Sequence, residues 1–143
     1  MACGLIGYGE WGREIAATLG RLGVDTLVVD RHERVGDNWR KRYHSLALHN
    51  STEVNHLPYM PFPSSWPVYL PKDMLADWFE TYAWAMEINF WTGTELLSAS
   101  YDESAGQWNA LVRKSDGTER TLHPRHLVFA NGLVGEPRRP HLP

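Results

Sequence analysis

Apolar positions recur along this chain with two different periods, and the switches between the periods mark its elements. Residues 2–6 form a continuous apolar run of strand length. Trp11, Ile15, Leu19 and Leu22 follow at helical spacing, and Gly23 supplies the stop. Residues 24–29 are a second buried strand, so strand, helix and strand form a parallel unit with a right-handed crossover. The turn between the first strand and the helix then lies at the carboxyl edge of the sheet, where ligands bind in such folds. Residues 31–72 are dense in proline and aromatic side chains and too long for a simple connection, which predicts a segment that covers a ligand or wraps a core. Asp73 is the expected N-cap of a helix with Leu75, Phe79, Tyr82 and Met86 on one face and Trp78 and Ala85 alongside. Residues 88–91 form a third parallel strand. Alternating segments at 96–101, 108–113 and 120–122, separated by turns at 102–106 and 115–117, form an antiparallel β-meander. Residues 126–130 add one more short strand. The fold class is α/β: a Rossmann-like domain with a parallel sheet and an inserted antiparallel meander.

Length and composition narrow the classes. With 143 residues the chain suits one domain, placed at 1–135, and the proline-rich tail at 136–143 is read as a linker. Lys plus Arg number 14 against 17 Asp plus Glu, a formal net charge of -3, which gives no general field toward nucleic acid or an anionic membrane. The N-terminus has neither the basic segment nor the apolar length of a signal peptide or membrane span, so a soluble cytoplasmic chain is expected. Cys3 is the only cysteine and is read as a packed thiol of the first strand. His123 and His126 lack the spacing and partners of a metal site. Arg40-Lys41-Arg42 is read as a solvated charge run. Trp66, Trp78, Trp84, Trp91 and Trp108 are expected in core or loop packing. Asn50-Ser51-Thr52 matches a glycosylation acceptor, which carries little without a secretory signal. No nucleophile constellation appears, and no catalytic side chain is assigned.

The chemistry is concentrated in Gly7-Tyr8-Gly9-Glu10-Trp11-Gly12, a G-x-G-x-x-G turn between a strand and a helix. Its first glycine permits the tight reversal, the second lets backbone approach a pyrophosphate, and the third lets helix and strand pack closely. Helix-terminal N–H groups face the phosphates. Asp30, at the end of the next strand, is placed to accept ribose hydroxyls.

Several further motifs follow in order: Asp30 to Arg40, Tyr43 to His49, Leu57-Pro58-Tyr59-Met60-Pro61-Phe62-Pro63, Pro71-Lys72-Asp73 and Leu127 to Gly132. With the glycine turn they make the chain resemble the N-terminal FAD-binding portion of the flavin-containing monooxygenases, in the branch that includes the YUCCA-type plant enzymes and bacterial and fungal relatives. The resemblance runs from about residue 4 to the end. It implies that Gly7, Tyr8, Gly9, Glu10, Trp11 and Gly12 hold the FAD pyrophosphate and Asp30 the adenosine ribose. Gly36, Asn38 and Trp39 lie along the flavin side, His49 stands near the isoalloxazine ring, and Leu96 meets the adenine through its backbone. Ala130, Asn131 and Gly132 match the family's Ala-Thr-Gly turn beneath the cofactor.

The chemistry so implied is reduction of FAD by NADPH, activation of O₂ on the reduced flavin and transfer of one oxygen to a small organic substrate. The tail would lead to an NADPH-binding domain absent from this sequence, so the chain alone is expected to be inactive or incomplete, leaving open a complementing domain or chain. Tyr8, Glu10 and Trp11 depart from the small or uncharged residues of the family's turn, and Asn131 replaces its threonine. A Glu10 carboxylate facing the pyrophosphate at ~6 Å would cost about 2 to 3 kcal/mol at an effective dielectric of about 20. That is roughly a hundredfold in affinity. Two other readings stand beside the monooxygenase: a non-catalytic binding or regulatory module that kept the fold, and a single-Rossmann NAD-dependent reductase, which Asp30 alone would permit.

Overall fold

The computed structural model describes residues 2–6 and 10–132, with side chains from residue 15 onward. Strand β1 (Ala2–Ile6) leads into helix α1 (Glu10–Arg21), and β2 (Asp25–Val29) follows. A one-turn helix α2 (Asp37–Arg40) and a 3-10 turn at Thr52–Val54 interrupt the long segment before helix α3 (Lys72–Ala85). Then come β3 (Asn89–Trp91), the meander strands β4 (Thr94–Asp102), β5 (Gln107–Lys114) and β6 (Glu119–Leu122), and β7 (His126–Phe129).

The first sheet has the order β3-β2-β1-β7 with parallel pairing throughout. β1 therefore has the next strand in sequence on one side and the last on the other, which is a topological switch point. The second sheet is the antiparallel meander β4-β5-β6, with a register shift between Leu96 and Ser98. Lys114 and Arg120 lie over the Trp91 ring at 5.2 and 5.5 Å from its centroid, which seats the meander on the β3 side of the parallel sheet.

The main core forms where the long segment wraps α3. Leu48, Leu57, Phe62 and Leu70 are buried with Leu75, Phe79 and Tyr82. Phe62, Trp66 and Trp78 pack ring to ring at 5.1 to 5.7 Å. The Tyr82 hydroxyl donates to the Pro58 carbonyl at 3.1 Å, so the aromatic core satisfies its polar tip. A second cluster joins Ala16 of α1, Val28 of β2, Ala83 of α3 and Ala130. Of the two roles open to the long segment, the structure displays the wrapping of a core.

Several expectations change. Leu22 is 72% exposed, because α1 ends at Arg21 and Gly23 (φ 70°) turns the chain away before another apolar position can face inward. Asp73 does not cap α3: Pro71 occupies the N-cap, whose fixed φ suits a helix start, and Asp73 sits in the first turn. Ala85 is exposed, and Trp84 is 83% exposed, one residue off the buried face of α3. The last strand ends at Phe129, one residue before Ala130. Residues 136–143, read as a linker, lie outside the described residues.

Among the described glycines, the closest backbone approach is at Gly36, the left-handed N-cap of α2 (φ 90°). A β-carbon there would stand 2.5 Å from the Ala76 carbonyl oxygen and 2.9 Å from its α-carbon. Only glycine lets α2 rest directly on α3. Gly36→Ala is expected to cost about 2 to 4 kcal/mol of unfolding free energy in urea titrations. A loss below ~0.5 kcal/mol would show that the two helices do not need this contact.

Candidate dinucleotide site at the carboxyl edge

The register aligns four strand ends, because Trp91, the last residue of β3, pairs with Val29. Ile6 pairs with Val29 on one side and with Phe129 on the other, so β2, β1 and β7 finish at one level. Asp30 and Ala130 follow immediately on the two strands that flank β1, and α1 begins at Glu10, shortly after β1 ends. A helix N-terminus and a carboxylate thus share the edge where a parallel sheet binds ligands.

Asp30 is half-buried and held from several directions. Its N–H donates to the Trp91 carbonyl at 3.0 Å, its carbonyl accepts from Thr94 N–H at 2.9 Å, and its Oδ1 accepts from His32 N–H at 2.9 Å. The Gly93 N–H donates to the His32 carbonyl at 2.7 Å. These bonds tie the exit of β2 to the first residues of β4, which brings Leu96 within two residues of a strand start anchored on Asp30. Leu96 itself is half-buried and paired with Val112. Gly93 (φ 54°) is tight as well: a β-carbon would lie 3.1 Å from Ser115 Oγ and 3.2 Å from Glu33 Oε2. An open groove of about 450 Å³ runs beside this junction, lined by Arg31, Glu33, Gly93, Glu95, Arg113 and Lys114 among others.

The remaining expected residues divide. Gly7, Tyr8 and Gly9 lie outside the described residues, while Glu10, Trp11 and Gly12 form the first turn of α1. Ala130 is buried, and Asn131 and Gly132 are exposed just past β7, with Gly132 at φ 80° and open space where a β-carbon would be. Asn38 and Trp39 are half-buried on α2, and the need for glycine at position 36 comes from its seat on α3. His49 is exposed, next to Leu48, whose N–H bonds the Leu70 carbonyl at 2.8 Å.

Arg40 departs from the solvated charge run expected of residues 40–42. Its side chain is only 17% exposed. Nη1 donates to the Val35 carbonyl at 2.7 Å and to Asp37 Oδ1 at 3.2 Å, and Nη2 to Asp77 Oδ1 at 2.8 Å and Glu80 Oε2 at 3.1 Å. Helical spacing explains this: Asp37 is three residues back on α2, and Asp77 and Glu80 share one face of α3. Those intervals were the available signal. Burial pushes the Asp37 carboxyl up, but the Arg40 bond, the Lys41 charge and the Arg34 amide outweigh it and hold the group below its usual value. Arg34 adds an exposed pair with Glu80 at 2.6 Å.

The same fold is found in solved structures of other proteins. S-allyl-L-cysteine S-oxygenase from Allium sativum superposes with a TM-score of 0.86 at 19% identity, over 99% of this chain and 38% of that one. OTEMO, solved in complex with FAD and NADP, gives a TM-score of 0.78 at 20% identity over 99% of this chain and 27% of its own. In sequence, the indole-3-pyruvate monooxygenase YUCCA1 of Oryza sativa subsp. japonica is 36% identical over 140 residues, covering 97% of this chain and 34% of the relative. The chain is thus similar in sequence to YUCCA-type flavin monooxygenases and spans about a third of the length of those it matches. No family model matches it.

The residues present fit such a cofactor. The Trp39 and Trp78 Nε1–H groups are both buried without an acceptor among the described residues, and both indoles pack against the α3 core. At the strand-end edge Asp30 carries a carboxylate, α1 begins, and Gly132 leaves open space, a set of groups that would suit a dinucleotide. Among the described residues no cluster of three or more His, Cys, Asp or Glu could hold a metal, and no helix is long and apolar enough to cross a membrane.

Because the folded-state pKa of Asp37 is depressed, its stabilising contribution is present above the usual value of 3.8 and lost as pH falls through the lower folded value. Arg40→Met removes the leading favourable contact and leaves Asp37 buried. We expect a loss of about 1 to 3 kcal/mol near neutral pH that shrinks in acid as Asp37 protonates in both proteins. Urea titrations across that range check this; a difference independent of pH would contradict the assignment.

Proposed function

We propose that this chain is the FAD-binding portion of an NADPH-dependent flavin monooxygenase. The single observation that carries the reading is the level ending of β2, β1 and β7, with Asp30 beside it, in a chain 36% identical to an indole-3-pyruvate monooxygenase. In this reading Asp30 accepts the adenosine ribose hydroxyls and the start of α1 faces the pyrophosphate. The groove between residues 31–33 and the meander receives the adenine end, with the backbone near Leu96 beside it. Asn38 and Trp39 contact the flavin side, and Ala130 to Gly132 let backbone pass close beneath the cofactor.

The bound flavin would supply electron transfer from NADPH and the activation of O₂. What these residues supply is binding and orientation, together with exclusion of water from the buried side of the edge. No side chain of this stretch is assigned proton transfer. The chain spans about a third of the length of the relatives it matches, and in this reading it binds FAD by itself without sustained turnover.

Titration of the purified chain with FAD, followed by visible absorbance and flavin fluorescence, tests this. Saturable binding is expected, and Asp30→Ala should raise the Kd roughly ten- to a hundredfold by removing charge-assisted bonds, in a protein confirmed as folded by circular dichroism. A folded wild type that binds no FAD at high concentration would instead favour a non-catalytic module, the reading motivated by Glu10 at the first position of α1. NADH binding without FAD binding would favour a simple reductase.

A further inference from the structure

Helix α2 has four residues, too few to persist on its own. Something outside it must fix its position, and two cations do. Lys72 is 6% exposed, and its Nζ donates to the Arg40 carbonyl at 2.9 Å and to Asp73 Oδ1 at 2.6 Å. Burying an ammonium is costly unless it is paired. Asp73 is mostly exposed and could pair with a cation held outside the core. The buried partner is the Arg40 carbonyl, one of the terminal acceptors that a helix leaves open. The Lys72 amide also donates to the Leu46 carbonyl at 3.0 Å, so one residue joins α2, the 46–48 segment and the start of α3. At the other end the Arg40 guanidinium spans from the Val35 carbonyl to Asp77 and Glu80 on α3. Gly36 against Ala76 closes the third side.

We infer that Lys72 and Arg40 are positioning residues: a two-cation clamp that fixes α2 so that Asn38 and Trp39 are presented to FAD, acting through the backbone of α2. The inference rests on the FAD reading above for its consequence, and on the geometry alone for the clamp. Binding groups must be held within a fraction of an ångström to be effective. A helix of one turn meets that requirement only when both ends are tied. Trp39, whose indole N–H is buried without an acceptor among the described residues, is the side chain through which a shift of α2 is read out.

The test has an apo arm and a loaded arm, both on the whole chain. In the apo arm, amide hydrogen exchange is followed at Trp39, Arg40, Lys41 and Arg42, whose N–H groups bond Gly36, Gly36, Asp37 and Trp39 carbonyls. Lys72→Met keeps the aliphatic packing and removes the ammonium. It should raise exchange at these amides about tenfold or more, while Asp73→Asn, which leaves the carbonyl bond in place, should change it little. In the loaded arm, FAD titration well below the unfolding temperature should show Lys72→Met weakening binding about tenfold, with an altered flavin spectrum. That weakening should largely disappear in a Trp39→Phe background, which a general loss of stability would not produce.

Unchanged exchange in Lys72→Met overturns the clamp whether or not FAD binds. Loosened exchange with unchanged FAD affinity overturns the positioning role. A wild type that binds no FAD overturns that role together with the FAD reading, and the apo arm still decides the clamp. If Lys72→Met does not fold, Lys72→Gln keeps a neutral donor near the carbonyl and should give an intermediate exchange rate; a wild-type rate in that variant counts against the clamp.

Discussion

Parallel strands ending at one level set where the rest of this chain can act. The pairing of Ile6 with both Val29 and Phe129 places the start of α1, Asp30 and Ala130 along a single edge. Parallel register of this kind leaves little freedom, because a slip by one residue would turn every side chain to the other face. Val28 and Val29, at 0% and 1% exposure, would both lose their packing. The hydrophobic pattern of these short strands therefore fixes the geometry of the edge, and the edge fixes which loops can share a ligand.

Everything else extends that edge or braces it. The bonds from Trp91, Gly93 and Thr94 to residues 30 and 32 dock the meander beside Asp30, which makes an insertion distant in sequence part of the same site. On the other side the long segment after β2 is folded around α3 by Leu48, Leu57, Phe62 and Leu70. That core places α3 where α2 can rest on it through Gly36, and ion pairs at Arg40 and the buried Lys72 bond hold the contact. Hydrophobic burial supplies the bulk of the stability, and the charged contacts supply a defined position for a helix too short to choose one.

Much of this was legible in the sequence, because strand-length apolar runs and helical spacing leave strong periodic signals. The parallel sheet, the meander and the position of Asp30 at the end of β2 all follow from such signals. Other features depend on what meets what in space. Arg40 reads as part of a basic run until Asp77 and Glu80 are brought opposite it, and Gly36 reads as a loop glycine until Ala76 is seen beneath it. Leu22 continues the helical spacing of α1 but falls after the helix has ended, and Trp84, expected inward by residue type, lies one residue off the buried face of α3. Candidate site residues divide the same way. Asp30, Leu96 and Ala130 lie where strand order puts them, whereas His49 sits exposed on a loop whose course no periodicity encodes.

FAD held at the level edge of β2, β1 and β7, as proposed, would cover the backbone that follows those strands. Hydrogen exchange compared with and without saturating FAD tests it most directly, because backbone amides report position as well as occupancy. Exchange at residues 30–36 and 130–132 is expected to slow on binding. Saturable FAD binding that leaves both segments unprotected would contradict it.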